Sequence, residues 1–131
     1  MSEIPDDLRY SEDHLWVRPD SAQSAHVGIT DYAQDSLGDV VNITLPAAGQ
    51  ALTRGRAFGE IESTKSINEL VAPLNGQVLT RNDALADTPE LVNTDPYGKG
   101  WMVQVEVASS TLSNQLPELM DSSAYRSLVG E

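Results

Sequence analysis

The chain predicts a mostly β fold: a sandwich or flattened barrel, with helix confined to one short insertion and a C-terminal cover. Three observations carry this. Short segments of alternating apolar and polar residues recur along the chain, separated by turns rich in glycine and proline. Helical spacing is confined to residues 31 to 37, one turn near Pro89, and the tail after residue 110. The 131 residues suffice for one domain with a modest core, and an aromatic content of 5% suits a thin β structure better than a thick α/β enzyme.

The elements follow in order. Residues 1–8 form an acidic N-terminal extension. His14-Leu15-Trp16-Val17-Arg18 reads as a strand, Pro19-Asp20-Ser21 as the turn after it, and Ala25 to Ile29 as the return strand. Asp31 to Leu37 has helical character, with Thr30 as N-cap, Tyr32, Ala33 and Leu37 on its apolar face, and Gly38 as stop. Asp39 to Leu45 alternates, which puts Val41, Ile43 and Leu45 on one side of a half-buried strand. Turns at Pro46–Gly49 and Thr53–Gly55 come next. Residues 57–62 and 67–72 read as the arms of a hairpin, and Gly76 to Leu79 as a further strand. Asp83 to Val92 reads as a loop with one helical turn near Pro89-Glu90-Leu91, and Asp95-Pro96-Tyr97-Gly98 as a turn. Trp101 to Val107 alternates as a strand, and residues 110–131 supply helical segments at Leu112–Met120 and Ser123–Leu128.

Composition excludes several function classes. With no cysteine there is no disulfide, thiolate metal site or cysteine nucleophile. A net charge of −12 argues against nucleic acid or an anionic membrane as partner and suits docking onto basic patches of larger proteins. No apolar stretch approaches spanning length, and Met1 to Asp7 lacks the features of a signal or transit peptide, so the expected location is cytoplasmic. His14 and His26 are the only imidazoles; without further ligands no metal site is expected, and His14 reads as a hydrogen-bonded structural residue. Trp16 and Trp101 read as core residues. No nucleophile–base–orienter set is visible, so no catalytic residue is assigned.

One residue stands apart. The chain has two lysines, Lys65 and Lys99, and Lys65 lies on the crest of the predicted hairpin, in Glu62-Ser63-Thr64-Lys65-Ser66. A crest holds a side chain away from the body, where another protein can reach and modify it. An exposed lysine near its ordinary pKa is an ammonium at neutral pH and a poor nucleophile until a specific enzyme removes its proton. The plain alternative is an ordinary surface lysine.

Five blocks in register weigh against that alternative. Tyr10 to Val17, Val27 to Val41, Glu62 to Ser66, Ala72-Pro73-Leu74-Asn75-Gly76 and Glu90 to Trp101 resemble, in order, segments of the glycine cleavage system H proteins, over roughly residues 8 to 129. The resemblance implies a single lipoyl-carrier domain over 1–131 with the lipoyl-domain barrel-sandwich hybrid fold. It implies lipoate covalently attached at Lys65, with Glu62, Ser63, Thr64 and Ser66 as the recognition sequence. The implied partners are the pyridoxal-phosphate glycine decarboxylase (P protein), the tetrahydrofolate-dependent aminomethyltransferase (T protein), dihydrolipoamide dehydrogenase (L protein), and a lipoyl transferase or lipoate ligase. The chain would be a monomeric, non-catalytic carrier of the aminomethyl group of glycine.

Family resemblance also implies a cleft for the loaded arm, assigned here to Asp13, His14, Leu15 and Glu69. Two positions depart from the pattern. His14-Leu15-Trp16 stands where the family usually shows His-Glu-Trp, so Leu15 replaces an acid expected to contact the amine. Asn42 stands where the family commonly has an apolar residue. The Leu15 departure favours an alternative role, a lipoyl relay that donates lipoate to 2-oxoacid dehydrogenase subunits. A biotin carrier fits poorly, since its lysine normally lies between methionines.

Overall fold

The computed structural model describes residues 2–131. Two antiparallel sheets face each other across one core. The six-stranded sheet has the order β1-β2-β3-β9-β8-β5 and the three-stranded sheet the order β4-β6-β7. The larger sheet is built from β1 (Arg9–Tyr10), β2 (Leu15–Ser21), β3 (Ser24–Ile29), β5 (Ala51–Leu52), β8 (Gly76–Arg81) and β9 (Val103–Glu106). The smaller is β4 (Val40–Thr44), β6 (Ala57–Ser63) and β7 (Ile67–Val71). Val17, Val27, Val78 and Val105 of the first meet Val40, Ile43, Ile61 and Leu70 of the second in one cluster. The expected mostly β sandwich with an inserted helix and C-terminal helices is the observed architecture.

The inserted helix α1 (Asp31–Leu37) has the bounds that its local signals predict. Thr30 Oγ1 accepts from the Ala33 N–H at 3.1 Å, and Gly38 closes the helix at φ +78° with its N–H donating to Gln34 O. Between β8 and β9 the loop forms two single turns, α2 (Ala84–Asp87) and α3 (Leu91–Thr94), rather than one near Pro89. The tail is α4 (Ser109–Gln115), a 3-10 turn at Leu116–Glu118, and α5 (Ser122–Val129). Asp121 caps α5 by accepting from the Ala124 N–H at 2.8 Å.

Three expectations need correction. In β4 a bulge between Val40 and Asn42 shifts the register against β6. Val40 is therefore buried and Val41 is 49% exposed, so the inward face is Val40 and Ile43 rather than Val41 and Ile43. Second, β2 runs through the expected turn to Ser21. Beyond Val17 its one partner is β3, and the register slips between Pro19 and Ser21, the edge-and-bulge setting in which a strand tolerates proline. Third, β9 begins at Val103; Trp101 precedes it, half-buried, with His26 edge-on to its ring at 5.0 Å.

A second cluster lies on the outer side of the larger sheet. Ile4, Leu8, Tyr10, Trp16 and Tyr125 are buried together, so the N-terminal segment and α5 close over β1 and β2. The Tyr10 and Tyr125 rings stack at 4.7 Å. Trp16 is fully buried and its Nε1–H donates to Pro96 O at 3.0 Å. Gly28, directly across from Trp16 in the β2–β3 register, leaves room for this indole: a Cβ there would lie 2.7 Å from two ring carbons. Gly28→Ala is expected to destabilise the fold by about 1–3 kcal/mol through overpacking. A urea melt checks it; an unchanged midpoint would mean the indole shifts freely.

Candidate functional site

The hairpin β6–β7 holds Lys65 on its crest. Its last cross-strand pair is Glu62 with Ile67, leaving a turn from Ser63 to Ser66. Ser63 organises that turn. Its N–H donates to Ser66 O at 2.8 Å, and its Oγ accepts from the Lys65 and Ser66 N–H groups, both at 3.2 Å. The Thr64 N–H donates to Asp39 O at 3.0 Å and ties the turn to the start of β4. Ser63 is 5% exposed, so its side chain holds the turn and is not displayed, unlike Thr64, Lys65 and Ser66, which are exposed. Glu62 is half-buried, between Asn42 and Ile67 across the strands, and forms no ion pair among the described residues. Asn42 itself is exposed, which accounts for a polar residue at that position.

The Lys65 side chain lies back over Gly38. A Cβ on Gly38 would sit 3.1 Å from Lys65 Cε and 3.6 Å from Nζ. The residue that ends α1 thus also leaves space for the lysine stem, a link that its local sequence does not announce.

A cleft of about 490 Å³ opens beside this point. One wall is the face of α1 bearing Tyr32, Ala33, Ser36 and Leu37. Leu15, Ile29, Ile61 and Leu70 form an apolar floor; Leu15 is 2% exposed and belongs to the main core. Asn68 and Glu69 of β7, both exposed, also line it, and Glu12, Asp13 and His14 complete the lining. The four residues assigned from sequence to an arm-docking cleft, Asp13, His14, Leu15 and Glu69, therefore line one cavity. An apolar floor with carboxylates around it fits an aliphatic arm with a cationic tip, and Leu37 of the lining is followed directly by Gly38, the residue under the Lys65 stem.

His14 is anchored in a way sequence reasoning missed. Its Nδ1 lies 2.9 Å from the Tyr125 hydroxyl, which lies 2.7 Å from Thr30 Oγ1. Burial pushes the imidazole below its ordinary pKa, against the Asp13 carboxylate, which raises it. Burial pushes the Tyr125 phenol up to about 12, so it remains a protonated donor at neutral pH; its hydrogen bond with Thr30 partly opposes that rise. Nothing in the tail's sequence places Tyr125 against a residue 111 positions earlier. His26 pairs instead with Asp20 at 2.6 Å, away from the cleft. Among the described residues no cluster of His, Asp and Glu could hold a metal ion, and no helix is long and apolar enough to cross a membrane.

Two facing sheets, a hairpin that lifts a lysine from the smaller one, and a cleft alongside define the class: a lipoyl-domain barrel-sandwich hybrid. The family model described as glycine cleavage H-protein matches residues 8–131. A glycine cleavage system H protein from Mycolicibacterium gilvum is 50% identical over 131 residues, covering 100% of both chains. One from Mycobacterium tuberculosis H37Rv is 49% identical over 134 residues, again covering 100% of both. The crystal structure of a glycine cleavage system H protein from Mycobacterium marinum superposes with a TM-score of 0.86 at 37% identity, over 98% of this chain and 100% of that one. The chain belongs to the glycine cleavage H-protein family.

Proposed function

We propose that this chain is the lipoylated carrier of a glycine cleavage system, without a catalytic centre of its own. The observation that carries the reading is the placement of Lys65: exposed on a braced crest, over Gly38, which directly follows Leu37 of a cleft with an apolar floor and exposed carboxylates around it. Lipoate on Lys65 would supply the redox and group-transfer chemistry, and the protein would supply position, reach and recognition. Amide formation removes the lysine charge and leaves a long arm.

In this role the chain accepts the aminomethyl group of glycine from the decarboxylase (P protein) and hands it to the aminomethyltransferase (T protein). Dihydrolipoamide dehydrogenase (L protein) then restores the carrier, and a lipoate ligase or lipoyl transferase attaches the group in the first place. Cleft carboxylates at Glu12, Asp13 and Glu69 hold the cationic tip, and Leu15 and Ile61 exclude water beneath it. The net charge of −12 favours a soluble monomer that meets larger partners through fast, weak encounters. The test is the intact mass of the protein from its native host: one lipoyl increment, mapped to the peptide bearing Lys65. A chain isolated from glycine-degrading cells with no such increment would overturn the reading.

The second reading, a lipoyl relay to 2-oxoacid dehydrogenase subunits, is favoured by the uncharged floor at Leu15. Its discriminator is a genome that retains lipoyl transferases and lacks a glycine decarboxylase.

Glu62→Ala is expected to slow lipoylation far more than it changes stability. The residue has no ion pair to lose, so the melt should move by no more than about 0.5 kcal/mol. Initial rates with a lipoate ligase check this, and equal rates for variant and parent would remove Glu62 from recognition.

A further inference from the structure

Three observations meet at His14. Its backbone φ is +68°, the one positive φ outside glycine among the described residues. For a residue with a Cβ that conformation costs on the order of 1–2 kcal/mol. It is held in place because the His14 N–H donates to Ser11 O at 3.1 Å and His14 O accepts from the Thr30 N–H at 3.0 Å. Strain of this kind tends to mark a side chain whose direction matters.

The second observation is the ring's fixed protonation. Thr30 is fully buried, and its Oγ1 already accepts from the Ala33 N–H. Its own hydroxyl hydrogen has one acceptor in reach, the Tyr125 oxygen. Leaving it unpaired would cost about 1–3 kcal/mol. Having accepted from Thr30, the Tyr125 hydroxyl sends its hydrogen to His14 Nδ1. A hydrogen on Nδ1 would collide with it. The imidazole is therefore neutral, with its hydrogen on Nε2. The charged and titratable groups around it are Asp13 beside it, Glu12 and Glu69 in the cleft, Tyr32 on α1 and Tyr125 on α5. Among the described residues Nε2 has no protein partner and no unpaired polar side-chain atom is buried, so this N–H is open on a ring that lines the cleft.

The third observation is reach. Lys65 Nζ sits over Gly38, at the C-terminal end of α1, and His14 sits at the other end, against Thr30 and Tyr32. Seven helical residues span about 10 Å. An eight-carbon acyl chain with bonds of about 1.5 Å extends on the order of 10 Å. An arm laid along α1 brings its sulfur end, not its methylenes, to His14.

We propose that His14 is the positioning residue for the sulfur end of the arm: a neutral imidazole, locked by the Thr30–Tyr125 chain, whose Nε2–H donates to a sulfur of the folded-back dithiolane or dithiol. This rests on Lys65 carrying that arm. The consequence is a division of labour among the polar residues of the cleft. An N–H donor repels an ammonium, so the amine is left to the carboxylates of Glu12, Asp13 and Glu69. With Nε2 occupied, His14 does not act as a base toward a thiol.

The test uses the full chain, labelled with 15N, before and after lipoylation by a lipoate ligase, with the increment verified by mass. Long-range 1H–15N spectra report the tautomer of each imidazole, and His26 is the internal control. His14 is expected to show unprotonated Nδ1 and protonated Nε2 in both forms, and lipoylation is expected to shift Nε2 of His14 while leaving His26 in place. Tyr125→Phe keeps a ring to stack on Tyr10 and removes the hydrogen that pins Nδ1. It should mix the tautomers and cut the lipoyl-dependent shift by half or more. Thr30→Ser, which keeps the hydroxyl, should retain both signatures. A charged or Nδ1-protonated His14 at neutral pH, or an unmoved Nε2 in mass-verified lipoylated protein, overturns the proposal. If ligase treatment gives no increment at all, the carrier reading falls and the inference falls with it.

Discussion

Lys65→Arg should abolish lipoylation completely and leave the fold unchanged. The side chain is exposed on the crest, and the hydrogen bonds that shape the crest involve Ser63, Thr64, Ser66, Asp39, Asn68 and the Lys65 backbone, not the Lys65 side chain. Arginine keeps the positive charge, so neither the acidic surroundings nor the turn is disturbed, and the melt should move by less than about 0.5 kcal/mol. What is lost is the acyl acceptor, because a guanidinium is not deprotonated by the means that activate an amine. Lys99 is the control. Its backbone N–H is tied to Asp95 Oδ2 at 2.9 Å in the tight turn after α3, and it does not line the cleft beside Lys65. Lys99→Arg should retain full modification. Intact mass and peptide mapping of the two variants decide the matter. Lipoate found on Lys99, or carrier activity surviving in the Lys65→Arg protein, would remove Lys65 from its assigned role.

The contrast between α1 and β4 shows how much of this fold could be read from sequence. Thr30, the apolar spacing and Gly38 are neighbours in the chain, and the energies they report, a cap bond and a left-handed stop, are settled within one helix. Its bounds were accordingly legible. The face of β4 was not, since alternation is a rule for an unbroken ladder, and the bulge that turns Val41 outward depends on pairing with β6. The two-residue strands β1 and β5 were invisible for a similar reason: so short a strand has no period of its own and exists only through its partner. The site divides in the same way. The lysine and the crest that bears it, with Glu12 and Asp13 of the cleft, lie in recognisable blocks, while Glu69 falls between two of them. Ser63 reads from sequence as part of the recognition run, yet its hydroxyl serves the turn, because a four-residue crest needs an internal acceptor for its N–H groups. Gly38 under the lysine stem and Tyr125 behind His14 are contacts between distant segments, and only packing brings them together.

Leu15→Glu should lengthen the lifetime of the amine-loaded carrier and, in the unloaded protein, lower stability. Leu15 is 2% exposed, contributes to the main core and forms part of the cleft floor. Replacing it in the empty cleft forfeits apolar burial and partly desolvates a carboxylate, at a combined cost on the order of 2–4 kcal/mol. With the cleft filled by a cationic tip the sign reverses locally. A charge-assisted hydrogen bond from ammonium to the new carboxylate contributes on the order of 1.5–3 kcal/mol. At about 1.4 kcal/mol per tenfold, the protected population rises roughly ten- to a hundredfold. The two effects separate cleanly in experiment. Urea melts of the unmodified proteins should show the variant less stable. Hydrolysis of the loaded proteins, timed without the aminomethyltransferase and well below either melting temperature, should show the variant slower. Its acidic neighbours set the limit: Glu12, Asp13 and Glu69 are exposed residues on the rim of the same cleft. Equal lifetimes would mean that these rim acids carry the whole task and that a carboxylate on the floor adds nothing. A slower hydrolysis confined to Leu15→Glu would instead place the missing contact beneath the arm and show that this chain stores its cargo less tightly than its fold permits.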